Sequence, residues 1–320
     1  MSKREVTSQN ILAILMKNRM FIILVALIVF MTFASPVFFT TSNFLNVLRQ
    51  ISINGIVALG ISFVITIGCI DLSVGSTVGL AGIVMGQAAL LGWPTPIVIL
   101  IGLGVGLAVG VLNGLGIAIF RIPPFVATLA MQNAIRGLAY IFCDGMPLVN
   151  FEDRYVDIGQ GYWLGIPVPV YILAAVAIIC AIIFNKTKFG RNLFYTGGNE
   201  QAAQISGINV FKIKVTAYAI CGMLAGLAGV VLSFRVASAM PVNGDGYEGD
   251  AIAAAVIGGA AMRGGYSTVR GTIIGALILG IISNGMNLLG VTQYWQMVVK
   301  GLIIFIAVVI DSRTSQNEKK

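Results

Sequence analysis

Few side chains in this sequence could do chemistry, and their types restrict what that chemistry is. The chain has no histidine, which removes imidazole-activated nucleophiles, histidine metal ligands and histidine proton relays together. Its four cysteines (Cys69, Cys143, Cys180 and Cys221) stand in or beside apolar stretches without CxxC spacing. They read as small apolar packers, not as a disulfide framework or a metal site. No GxxxxGK[ST] loop occurs, and the dipeptide Gly-Lys is absent altogether, so the chain does not hold ATP by that device. What remains is a set of polar residues in apolar company. Gln50, Asn54, Asn133, Asn284 and Asn287 lie within or beside apolar runs, and Arg136 and Lys300 lie inside them. An amide in such a place either lines a path or bonds to a neighbouring helix. Asp71, between Gly68 and Gly75 in a break between two runs, is placed to cap the helix that follows at its positive end. Arg136 is expected in a structural ion pair, and Lys300 is expected to snorkel. No paired acids, metal cluster or activated nucleophile is present, so neither an enzyme nor a bound cofactor is expected.

The elements that must position these residues follow from composition. The 320 residues are 58% hydrophobic and only 10% charged, against about 25% charged in soluble domains. Such a chain cannot cover an aqueous surface and reads as an all-α polytopic membrane protein. Apolar runs fall at 20–38, 47–67, 72–91, 97–120, 124–143, 167–184, 213–233, 250–262, 271–290 and 294–310, or about ten spans. The run at 250–262 is short, and 47–91 is broken only around Gly68–Gly75, so some spans are expected to be short or broken. Ten spans place both termini on one side. Basic residues test that parity: 15 fall on the side of the termini, three (Arg49, Arg154, Arg235) on the other, and Arg136 and Lys300 within spans. The positive-inside rule then puts both termini in the cytoplasm. The net charge of +8 therefore sets orientation; basic residues do not interleave with aromatics, so nucleic acid is not a partner. The N-terminus makes a poor signal peptide, because its basic region is long and Ser35-Pro36 is a poor cleavage site. The expected organisation is a cytoplasmic segment 1–19, a single transmembrane domain 20–311, and a cytoplasmic tail 312–320. Within the domain, 144–166 is an external loop carrying Asp144, Glu152, Asp153 and Asp157, and 185–212 is a cytoplasmic loop.

That cytoplasmic loop contains "NLFYTGGNEQAAQISGINV" (192–210), a polar interruption with two adjacent glycines. Asn199 can cap a helix whose first residue, Glu200, complements the positive end of the dipole. The helix is expected to run to Ile205 or Ser206 and to stop at Gly207. At about two turns, roughly 10 Å, it is marginal alone, so something must hold it. Ala202 and Ala203 offer small side chains on one flank for close approach by another surface. An internal echo also appears: "GCIDLSVGSTVG" (68–79) and "GGYSTVRGTIIG" (264–275) share glycines in one register, as internal repeats would.

The stretch "TKFGRNLFYTGGNEQAAQISGINV", with its E-x-A-A-x-x-x-G core, resembles the cytoplasmic coupling loop of sugar-type permeases of ATP-binding-cassette (ABC) importers. "GCIDLSVGSTVGL" (68–80), "GDGYEGDAIAAAVIGGAAMRGGYSTVRGTIIGALILG" (244–280) and "NGMNLLGVTQYWQMVVKGLIIFIAVVID" (284–311) resemble the same family in the same order, most like its ribose permeases. One departure is Arg263 with "GGYSTVRGT", where the family more often has a small residue and a Gly-rich run. The resemblance implies a permease dimer (homo- or heterodimeric) in a bacterial cytoplasmic membrane, a cytoplasmic ATPase and an external sugar-binding protein. It implies that Gly198, Asn199, Glu200, Ala202, Ala203 and Gly207 couple to the ATPase. A neutral sugar needs amide and hydroxyl partners, for which Gln50, Asn54, Asp71, Asn133, Asn284 and Asn287 are the candidates along the path. The rival reading is a secondary transporter or channel for a small neutral solute. Ion coupling favours acids within the membrane, and the apolar runs carry none apart from Asp71 and Asp250 at their breaks and ends.

Overall fold

A computed structural model describes residues 19–317; the rest of the expected N-terminal segment, and residues 318–320 of the expected tail, lie outside them. The architecture is all-α apart from four two-residue strands. The helices are α1 (Arg19–Ala34), α2 (Thr41–Thr66), α3 (Val74–Leu90), α4 (Thr95–Phe120), α5 (Pro124–Phe142), α6 (Asp153–Gln160), α7 (Val168–Lys186), α8 (Lys188–Gly198), α9 (Glu200–Ile205), α10 (Val210–Arg235), α11 (Tyr247–Ile257), α12 (Val269–Leu288) and α13 (Gln293–Asn317). Strand β1 (Leu148–Val149) pairs antiparallel with β4 (Ser238–Ala239), and β2 (Tyr162–Trp163) with β3 (Ile166–Pro167).

Helix starts are written in the sequence. Thr40, Thr187, Asn199, Asn209 and Thr268 each accept a backbone N–H of the first turn that they precede, and α4, α5 and α7 carry a proline at their first or second position. Both devices satisfy or dispense with donors that a helix end leaves unpaired. Among the described residues, six helices (α2, α4, α5, α7, α10, α12) are long and apolar enough to cross a membrane; α1, α3 and much of α13 are shorter apolar helices. The run at 250–262 does not make a span. Only the eleven-residue α11 forms there, about 16 Å long and roughly half of the hydrocarbon thickness. Gly258 and Gly259 end it, the latter at φ +92°.

Helices α2 and α10 form the buried centre, while α4, α5 and α7 turn broad apolar faces outward. Glycine lets the inner helices touch by backbone. A Cβ added at Gly106 of α4 would lie 2.1 Å from the Gly222 carbonyl of α10, and one at Gly222 would lie 2.2 Å from the Gly106 carbonyl. Gly102, Gly110 and Gly226 extend the same seam. In lipid, where apolar burial does not drive helices together, such close approach is what holds them.

The stretches between helices are more ordered than loops. Residues 144–166 form α6 and all or part of three strands. Residues 185–212 contain α8 as well as α9; α8 buries Gly190, Leu193 and Thr196 along one face. Phe63 of α2, Phe184 of α7 and Phe189 and Phe194 of α8 meet as an aromatic cluster, with centroid distances of 4.4 to 6.5 Å. The strand-bearing end of the bundle and the α8–α9 end are joined by α7, about 28 Å long.

Candidate functional site

At the α8–α9 end, Asn199 accepts the Ala202 N–H at 2.9 Å through its side chain, and α9 runs from Glu200 to Ile205. It closes with Gly207 at φ +82°. The Ile208 N–H bonds to the Ala203 carbonyl and the Gly207 N–H to the Gln204 carbonyl, both at 3.0 Å, the two bonds of a Schellman ending. Three contacts hold this short helix to its own chain. The Tyr195 carbonyl of α8 accepts the Asn199 N–H, Glu200 pairs with Lys214 of α10 at 2.7 Å, and Ala203 is buried.

The burial of Ala203 corrects the expectation that it offers a flank to another surface: one turn of helix brings it inward, and it packs against this chain. Ala202 stays exposed, as does Ile205, the barest large apolar residue described, at 89%. Gly198, Asn199, Glu200 and Gly207 are also exposed. Beside α9 lies a cleft of about 810 Å³. Gln204, Ile208 and Phe211 line one side of it, and Arg121, Ile122 and Pro123 of the α4–α5 turn line the other. Arg121 holds φ +53° to make that turn.

The polar residues inside the bundle divide. Asn284 of α12 and Asn43 of α2 exchange side-chain hydrogen bonds at 2.8 and 3.1 Å, so Asn284 ties two helices together. Asn287 accepts from Gln296 at 2.7 Å and joins α12 to α13. Asn133 lies on the outer face of α5 and donates to the Leu129 carbonyl of its own helix. Each of the three has a hydrogen-bond partner within the chain, and the sequence does not display such partners. Lys300 does not snorkel; it pairs with Asp250 of α11 at 2.7 Å. Gln50 and Asn54 lie half-buried on α2, and the Asn54 side-chain oxygen (Oδ1) is buried without a hydrogen-bond partner among the described residues.

Asp71 is buried. Its carboxylate accepts the Ser73 N–H and hydroxyl at 2.9 and 2.7 Å, just ahead of α3 and not within its first turn. Ser73 in turn accepts from Asn113 of α4 at 2.8 Å, and Tyr218 of α10 donates to the Ile70 carbonyl at 2.9 Å. The break between α2 and α3 is thus tied to both α4 and α10. Glu248, Gln132 and Arg136 form a second polar group within the bundle, where Arg136 lies 3.8 Å from Asp245. The sequence signalled only its arginine. Glu248 stands at the edge of an apolar run, where a carboxylate reads as a loop residue.

Comparison with known proteins bears on what this arrangement is for. The chain is 42% identical over 316 residues to the ribose import permease protein of Haemophilus influenzae, covering 98% of each. It is 42% identical over 297 residues to that of Bacillus subtilis, covering 92% of each. To the galactose/methyl galactoside import permease protein of Haemophilus influenzae it is 36% identical over 323 residues, 93% of this chain and 95% of the relative. No solved structure matches it. The family described as the permease component of the branched-chain amino acid transport system matches residues 43–308, and a multi-pass helical chain matched over that length belongs to this permease family.

Proposed function

We propose that this chain is the membrane-spanning permease subunit of an ABC importer and forms the path for ribose or a similar monosaccharide. The observation that carries the reading is α9: a helix capped at both ends, tethered from behind, and presenting Ile205 to the surroundings. An isoleucine so exposed, beside a cleft that Ile122, Ile208 and Phe211 also line, makes an apolar patch at this end, and a patch favours a partner surface. With no phosphate-binding loop in the chain, ATP energy must enter through such a surface. A separate cytoplasmic ATPase docks on α9 and in the adjoining cleft, with Gly198, Asn199, Glu200, Ala202 and Gly207 shaping the contact and Ala203 supporting it from within. In this reading the α8–α9 end faces the cytoplasm of a bacterium, as do both termini. The strand-bearing end faces outward to an external binding protein, and two permease chains enclose the path.

Ribose heads the candidates because relatives at 42% identity are named for it, whereas those named for xylose and galactose stand at 35 and 36%. Uptake of labelled ribose, xylose and galactose by a strain lacking the gene, and by the same strain complemented with it, tests the reading. Restored uptake of one of them supports it, and loss of co-purification with the ATPase when Ile205 is changed supports the docking site. Unaltered uptake of all three on deletion would sink it.

A further inference from the structure

Two helices far apart in sequence bring polar side chains to one point inside the bundle, against the start of a third. Helix α11 begins at Tyr247, and its second residue is Glu248. The carboxylate lies against the first turn of α3, since a Cβ added at Gly75 would fall 2.2 Å from Glu248 Oε2. From α5, Gln132 donates to Oε1 at 3.3 Å. One turn along α5, Arg136 donates through Nη1 to the carbonyls of Pro241 and Asn243, and its Nη2 lies 3.8 Å from the exposed Asp245 carboxylate. Two atoms are left over. Glu248 Oε2 and Arg136 Nη2 are buried without a hydrogen-bond partner among the described residues.

We infer that this point is where the carried monosaccharide is held on its way through, with hydroxyl groups donating to Glu248 and Gln132 and a sugar oxygen accepting from Arg136. The inference rests on the sugar-permease reading above. The chemistry argues for it in three ways. A sugar hydroxyl both donates and accepts, and the group offers an acceptor-only carboxylate, an amide that does both and a donor-only guanidinium. Inside the bundle one acid, Glu248, faces one base, Arg136, while the second acid, Asp245, is exposed at the edge; the buried pair carries no net charge, which suits a neutral solute and would leave a charged one unmatched. An incompletely bonded ionisable group inside a membrane domain is costly to keep, and a ligand that completes its bonding is a functional reason to keep it. The paired polar contacts elsewhere, Asp250 with Lys300 and Asn43 with Asn284, serve as struts with nothing left over. Position agrees: α3 and α11 both start inside the bundle after a break, and such half-helix ends are where transporters gather their solutes.

The test uses the permease, ATPase and binding protein together in liposomes, measuring labelled monosaccharide taken up and ATP hydrolysed. Glu248→Gln is expected to lower the sugar carried per ATP by about tenfold, the loss of one charged hydrogen bond. Hydrolysis stimulated by loaded binding protein, and the melting temperature of the permease, should stay as in the wild type. Gln132→Ala should act in the same direction, by about threefold. An unchanged ratio of sugar to ATP in both variants would overturn the inference. So would uptake, hydrolysis and melting temperature falling together in both, because that marks a strut. A wild-type complex that carries no monosaccharide at all would overturn the permease reading and this site with it.

Discussion

Gly68 and Gly264 meet backbone to backbone: a Cβ added at Gly264 would lie 2.6 Å from the Gly68 nitrogen, and one at Gly68 would lie 3.0 Å from the Arg263 carbonyl. Both hold positive φ, +71° and +87°. They are also the first residues of the two echoing segments, 68–79 and 264–275, each of which begins in a break and runs into the helix that follows. Gly197, in the last turn of α8, joins them, since its own Cβ would collide with the Thr66 carbonyl and the Gly265 nitrogen; Gly265 donates to that carbonyl at 2.9 Å. The end of α8 is therefore wedged between the two breaks.

Substitution at this junction should be costly. Gly264→Val adds both a collision and a left-handed conformation that a β-branched residue resists, together worth about 1–3 kcal/mol or more. The purified permease should melt several degrees lower in detergent. Gly290→Ala, at φ +71° with nothing near an added Cβ, should cost less. Equal melting for the two would show that the contact carries no weight.

The coupling surface makes a paired prediction. Ile205→Asp alters an exposed side chain, for which the usual cost is within about 0.5 kcal/mol; abundance should hold while co-purification with the ATPase and uptake are lost. Ala203→Trp overpacks a buried position at about 1–3 kcal/mol and should lower abundance itself. Normal ATPase binding by Ile205→Asp would show that α9 is only a connector.

How much of this was legible beforehand can be judged from particular residues. Asn199 and Gly207 were readable because caps are local chemistry: a side-chain acceptor and a left-handed ending depend on few neighbours. The helix between them appears with the expected bounds, Glu200 to Ile205. Which way Ala203 points depends on α8 and α10, and α8 was missed because its polar face hides Leu193 among Arg191, Asn192 and Tyr195. The partners of the amides were hidden for a related reason. Asn284 looks the same whether its partner is a solute or Asn43, 241 residues away. Nine of the ten apolar runs became apolar helices, but the one at 250–262 did not become a span, since glycines end it after eleven residues.

The amide pair can be measured as a cycle. Asn284→Leu alone, or Asn43→Leu alone, leaves the other amide without its partner at a cost of about 1–2 kcal/mol. Asn43→Leu with Asn284→Leu should recover part of that. Thermal melting of the two single variants and the double variant gives the coupling energy, and purely additive losses would mean that the two amides act independently.

Orientation is open to direct labelling. All four native cysteines are buried, so background reaction with an impermeant thiol reagent should be small. Single cysteines at Asp153 and Lys188, both exposed, should differ in intact cells, with Asp153→Cys reacting and Lys188→Cys protected until the cells are opened. The reverse pattern would invert the topology.

The Asp250–Lys300 pair also constrains how the protein is made. Neither charge is stable alone among lipid chains, and α11 is too short to be recognised as a span, yet its counter-ion is 50 residues further on. At about 5–20 residues per second, several seconds of synthesis separate the two. During that interval Asp250 must be kept in water or beside the insertion machinery, so α11 should enter the membrane only together with α13. Chains halted after Leu289 are expected to be degraded quickly in pulse-chase experiments, and Asp250→Leu should slow their loss. Equal lifetimes for the two halted chains would mean that α11 settles without waiting for its partner.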